Sequence, residues 1–179
     1  MKHCSNCGQL ISTAIPDGDH RERFVCSYCN SIFYDNPRII TGTLPVYDDK
    51  IMICKRGIEP RAKYWTIPGG FMENGESMAA GAARETLEEA CAEVNVGQLL
   101  SAISLPSVNQ VHCFYLAEMN NDYFETTPES IEIKLVEVKD IPWDQIAFKT
   151  VEYTLRHYIE HKNNNVIPLL ETSIKPRTF

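Results

Sequence analysis

Along most of the chain, apolar and polar residues alternate in short β-branched runs, and in two places the spacing lengthens to that of a helix. Residues 39–46 and 50–55 read as strands joined by a turn at Asp48-Asp49. Residues 63–67 lead as a strand into Pro68-Gly69-Gly70. Further strands are predicted over 96–103, 108–118 and 131–138, then a short helix or turn over 142–147. Helical spacing returns at 151–161, where Val151, Leu155, Tyr158 and Ile159 recur on one side. The tail, 166–179, reads as a strand or as an arm around a partner subunit. This order predicts an α/β fold with a mixed sheet between helices.

The first helical stretch carries the chemistry. Between Gly70 and Glu89 a glycine loop runs into a helix. At about 100° per residue, Glu85, Glu88 and Glu89 fall within an arc of roughly 100°. Ala79, Ala82, Ala83, Thr86, Ala90 and Val94 gather opposite, so the helix packs by its alanines and presents its acids. Like charges at these spacings cost a helix about 0.2–0.5 kcal/mol per pair. A solvated acidic face is the plain explanation of such a cluster, and the surroundings argue against it. Arg84 sits between Glu76 and Glu88 and can pair with either. Pro68-Gly69-Gly70 can bring backbone carbonyls close to an ion, because glycine accepts angles that other residues refuse. Hard cations such as Mg²⁺ or Mn²⁺ take oxygen ligands and are shared between one or two carboxylates and substrate phosphates.

A second motif lies at the N-terminus. Cys4-x2-Cys7 and Cys26-x2-Cys29 are separated by eighteen residues, the spacing of a four-cysteine zinc ribbon. Gly8 and Asn30 follow the second cysteine of each pair, and both tolerate the left-handed backbone of a metal knuckle. The alternative is two disulfides or unconnected thiols. Seven cysteines in all, an odd number, fit a reducing cytoplasm better than an oxidised secreted protein. Four thiolates leave Zn²⁺ no open position, so its expected role is structural. Residues 1–37 form this module, with a boundary at Asn36-Pro37, and 38–179 form the second domain with its tail.

Charge and composition narrow the partners. The ribbon holds three basic against four acidic side chains, and the whole chain carries a net charge of −7. A phosphate-backbone binder shows a basic surface, so nucleic acid is not the expected partner. No apolar run approaches the roughly 20 residues of a membrane span, and no secretory leader precedes Cys4. With 44% hydrophobic and 23% charged residues in 179, there is chain for one domain and a small metal module.

The spacing Gly70-x5-Glu76-x7-Arg84-Glu85-x2-Glu88-Glu89 resembles the signature of the Nudix hydrolases, which cleave a nucleoside diphosphate linked to another group. The resemblance implies an α/β/α sandwich over residues 38 to about 162. It implies Mg²⁺ held by Glu85, Glu88, Glu89 and the Gly70 carbonyl, with Glu76 orienting Arg84. The general base is then a box glutamate or one on a distant loop; Glu132 is the choice for a late ligand and Glu129 its rival. Departures fall at the end of the box. Cys91 stands where glycine is usual, and Thr86 and Ala92 replace bulkier aliphatics, so a longer or differently ended helix is expected.

A ribbon ahead of such a box is similar to the group holding NADH, FAD and ADP-ribose pyrophosphatases, often homodimers. Residues 101–107 lack the aromatic run of the NADH branch, which ranks FAD or ADP-ribose first and NAD(H) second as substrate. A non-catalytic nucleotide sensor and a hydrolase of capped RNA are the other readings. Arg56 is the candidate for steering phosphates, with Lys55 pointing to the opposite face. Trp65 is a candidate for stacking on a base, or else a core residue.

Overall fold

The computed structural model describes residues 1–175; residues 176–179 of the predicted tail strand or arm lie outside the described residues. The chain divides into two compact units, Met1–Pro37 and Arg38–Phe179. In the first, β1 (Ser12–Ala14), β2 (Arg23–Val25) and β3 (Ile32–Phe33) form a small antiparallel sheet in that order.

The second unit is built on β4 (Arg38–Tyr47) and β5 (Lys50–Arg56), an antiparallel pair turning at Asp48 and Asp49. Both turn residues adopt positive φ, 47° and 60°, which aspartate tolerates better than most residues. Two short strands follow, β6 (Trp65–Thr66) against β5 and β7 (Gly69–Phe71) against β4. The strand predicted over 63–67 is therefore shorter, because Arg61 and Lys63 at φ 64° and 69° hold the chain in a turn. Next come α1 (Met78–Ala90), β8 (Val94–Leu105), β9 (Gln110–Met119), β10 (Ser130–Val136), α2 (Lys149–His161) and β11 (Leu170–Ser173). The main sheet runs β10-β5-β4-β9-β8-β11, with β4/β9 and β8/β11 parallel and the other neighbours antiparallel.

Strand parity divides the core. Leu44, Ile51, Ile53, Trp65, Leu100 and Phe114 pack with Val151, Leu155 and Tyr158 of α2. Met52, Cys54, Met119 and Ile133 pack with Ala90 of α1 and Ala92. Adjacent residues of β5 thus serve opposite faces, and one helix covers each face: a mixed sheet in an α/β/α sandwich. On the α1 side, Thr43 and Thr86 meet hydroxyl to hydroxyl at 2.6 Å. The Thr86 hydroxyl donates to the Ala82 carbonyl at 2.8 Å, so Thr43 is the donor of the pair.

The end of α1 differs from expectation. The helix is not extended; it stops at Ala90, with Cys91 in the left-handed region at φ 52° and its amide donating to the Leu87 carbonyl at 2.8 Å. Cysteine here performs the glycine-type termination, at a conformational cost of about 1 kcal/mol. Among the described residues, no helix is long and apolar enough to cross a membrane.

Candidate active site

The start of α1 is fixed by Ser77, whose side chain accepts from the Ala80 amide at 3.2 Å, an N-cap worth about 1 kcal/mol. The loop before it is fixed by Glu76, which accepts from the Glu73 amide at 2.6 Å. Arg84 then joins loop and helix. Its Nε and Nη2 donate to the two Glu76 oxygens at 3.1 and 2.9 Å. Nη1 donates to Glu85 and Glu88, each at 2.8 Å, and Nη2 also reaches the Phe71 carbonyl at 3.1 Å. The guanidinium fork supports this many contacts because its donors spread in one plane. Glu76 is held well below the usual carboxylate range, to about 2, chiefly by Arg84.

Glu85 and Glu89 turn inward onto the glycine loop. A Cβ on Gly70 would sit 2.6 Å from the Glu85 carboxyl carbon, so only glycine permits this approach. The Gly69 amide points at Glu89 Oε2, 3.4 Å away. Burial pushes both carboxyls upward, and Glu89 reaches about 8 because the Glu85 charge adds to its desolvation. Glu88 is different: its side chain is 58% exposed and leans on Arg84. The three box carboxylates do not close into a compact cage. Their carboxylate oxygens are the donor type that hard cations take.

The two late glutamates part company. Glu132 lies opposite Lys55 in the β10/β5 ladder. It is clasped by Lys55 at 2.9 Å and Lys134 at 2.6 Å. Those two ammonium groups lie 5.4 and 5.0 Å from the centre of the Trp65 ring, on the α2 side of the sheet. Glu132 therefore sits on the sheet face away from the box, which corrects its choice as a ligand. Glu129 lies near enough for its charge to add to the upward push on both Glu85 and Glu89. Trp65 is 5% exposed within the α2-side core and does not open onto the box, which corrects its placement as a stacking residue. Arg56 faces the other way from Lys55; its charge is felt at Glu89, its Nε donates to the Pro60 carbonyl at 2.8 Å, and its guanidinium lies 5.1 Å from the Phe148 ring centre. Sequence reasoning passed over Thr127, whose hydroxyl donates to the Glu89 carbonyl at 3.1 Å. The Thr127-Pro128-Glu129-Ser130 run, a turn-forming pattern, was the available signal.

In the N-terminal unit, the sulfurs of Cys4, Cys7, Cys26 and Cys29 all lie within 4.8 Å of one another. The pairs Cys4/Cys29 and Cys7/Cys26 are 3.6 and 3.5 Å apart. Disulfides need about 2.05 Å, whereas the edge of a tetrahedral zinc–thiolate site with 2.3 Å bonds is about 3.8 Å. The residues fit zinc. Gly8 and Asn30 have φ of 75° and 58°, the left-handed turns that aim each cysteine pair at a common point. The Ser31 hydroxyl and amide draw the Cys29 thiol down, whereas burial and the neighbouring thiols push Cys7 up.

A flanked mixed sheet with a loop–helix element that turns acids inward is an architecture able to hold a cation against an anionic ligand. Comparison with known proteins makes this specific. The NUDIX domain family model matches residues 36–158, and the Nudix N-terminal zinc-ribbon model matches residues 2–35. The chain belongs to the NUDIX family, and as a Nudix hydrolase it is a pyrophosphohydrolase. A solved NUDIX hydrolase from Nitrosomonas europaea is 39% identical, with a TM-score of 0.95 over 98% of this chain and 100% of that one. A Methanocaldococcus jannaschii protein named ADP-ribose pyrophosphatase is 24% identical over 134 residues, 73% of this chain and 78% of that protein. A solved ADP-ribose pyrophosphatase from Streptococcus suis shares the fold, at 18% identity and a TM-score of 0.64 over 76% of this chain and 99% of that one.

Proposed function

We propose that this protein hydrolyses the pyrophosphate bond of a nucleoside diphosphate linked to another moiety, with FAD or ADP-ribose as substrate and AMP as a product. The observation that carries the reading is the convergence of two carboxylates on the Gly69-Gly70 backbone: Glu89, which is buried, and Glu85, which is partly buried and held from the side by Arg84. Mg²⁺ or Mn²⁺ held there by Glu85, Glu89, the outer Glu88 and the Gly70 carbonyl would neutralise the phosphates and acidify the attacking water. The remaining roles belong to the chain itself. Arg84 and Glu76 keep the loop and the acidic face in register. Arg56, on the Glu89 side, is placed to meet a phosphate or the far moiety. Glu129 takes the proton from water: its main chain is held through Thr127 against the end of α1, and its charge is felt at Glu85 and Glu89.

The relative named ADP-ribose pyrophosphatase supports the substrate ranking. NAD(H) stands second. A non-catalytic sensor is disfavoured because every box glutamate and Arg84 is in place. The ribbon takes Zn²⁺ as a structural ion. A reducing cytoplasm and a homodimer are part of the same reading. The test is a panel of FAD, ADP-ribose, NADH, NAD⁺ and diadenosine polyphosphates with Mg²⁺ or Mn²⁺, scored for AMP release. Cleavage of FAD or ADP-ribose well above NADH is expected. No metal-dependent cleavage of any of them would overturn the proposal.

A further inference from the structure

The loop from Asn120 to Glu129 crosses the C-terminal end of α1, and one side chain ties it there. The Thr127 hydroxyl has one hydrogen and two lone pairs. It gives the hydrogen to the Glu89 carbonyl at 3.1 Å and accepts from the amides of Glu129 at 3.2 Å and Ser130 at 3.1 Å. Its full bonding capacity thus links the backbone of a box glutamate to the backbone of Glu129. Around it, the Thr127 and Ser130 main chains exchange two bonds, both 3.1 Å. The Glu125 amide donates to the Ala90 carbonyl at 2.9 Å, and the Gly57 amide to the Glu129 carbonyl at 2.8 Å. Glu129 is therefore held at its amide by Thr127 and at its carbonyl by β5's end. Without the hydroxyl, the Glu129 amide loses its anchor to the helix, and the main-chain turn alone must place the side chain.

We infer that Thr127 is a positioning residue for the hydrolysis: its hydroxyl fixes Glu129 relative to Glu85 and Glu89, so that it sets the geometry of proton removal. This rests on the reading of Glu129 as the base. Serine keeps all three bonds; valine keeps the shape and loses them. A base displaced by about 1 Å costs up to about 100-fold in rate.

The test is a double-mutant cycle in the full-length protein with its zinc, using ADP-ribose or FAD with Mg²⁺. Thr127→Val is expected to lower kcat about 10- to 100-fold with KM within about twofold, and Thr127→Ser to retain kcat within about threefold. In a Glu129→Gln background, Thr127→Val is expected to add less than about twofold, because the two act through one group. A full, independent loss from Thr127→Val in that background overturns the inference by making the threonine merely structural. Normal kcat in Thr127→Val beside an impaired Glu129→Gln overturns it alone. Normal kcat in Glu129→Gln overturns the assignment of the base, and the inference with it.

Discussion

Replacing Arg84 with lysine keeps the positive charge and removes the fork, so it asks whether geometry or charge organises the site. The guanidinium makes five contacts of 2.8–3.1 Å, four to carboxylates and one to the Phe71 carbonyl. Its donors diverge from one plane, and Glu76, Glu85 and Glu88 lie around different edges of it. An ammonium is a single point with three donors and holds at most part of this set. A net loss of about two charge-assisted bonds follows, each worth about 1.5 kcal/mol or less at a side chain that is 28% exposed. The expected destabilisation is about 2–3 kcal/mol, read by urea unfolding, or a Tm lower by about 5–10 °C. Because Glu85 loses its lateral support against Gly70, kcat is expected to fall about 100-fold. Unchanged unfolding free energy and turnover in Arg84→Lys would refute the idea that the fork shapes the acidic site.

Three further outcomes are expected. Cys91→Gly should raise stability by about 0.5–1 kcal/mol in urea, because glycine adopts φ near 52° without the cost cysteine bears. His112 is buried between Thr150 and Gln110, and burial lowers its pKa to about 4, below the ordinary unfolded value near 6.5. Its folded-state pKa is depressed, so the neutral ring's contribution is complete above pH 6.5 and is lost as pH falls towards 4. That loss is about 3 kcal/mol, and the difference between wild type and His112→Gln over this pH range measures it. Stripping zinc with a strong chelator should lower Tm even when Mg²⁺ is resupplied, and re-adding Zn²⁺ should restore it; an unchanged Tm would contradict a structural ion.

What the sequence made legible is what depends on local spacing. The helical arc of Glu85, Glu88 and Glu89 follows from a period of 3.6 residues, and the cysteine pairs with Gly8 and Asn30 spell out their own knuckles. The strand order of the sheet does not follow from such patterns, yet parity within it decides which residues face the box. β10 carries an irregularity between Ser130 and Glu132: Ser130 pairs with Arg56 and Glu132 already with Lys55. The extra residue, Ile131, turns Glu132 onto the α2 face and leaves Glu129 near the carboxylates. Trp65 fails as a stacking residue for a related reason, since it pairs with Lys55 and shares its face. Cys91 shows a third kind of miss. The absence of the family's usual glycine argued for a changed helix end, while cysteine itself takes the left-handed conformation and donates its amide to the Leu87 carbonyl. At Gly70 the glycine was expected to bring its carbonyl to an ion, and the close approach in the structure is a different one, the Glu85 carboxyl against the space a Cβ would fill.

In the proposed function, Glu85 and Glu89 grip the substrate through a divalent cation beside Gly69 and Gly70. Crystals soaked with Mn²⁺ and a non-cleavable ADP-ribose analogue test it directly by anomalous diffraction. A manganese peak coordinated by carboxylate oxygens of Glu85 and Glu89 and by the analogue's phosphates is expected. Manganese absent from that ridge while the analogue binds elsewhere would contradict it.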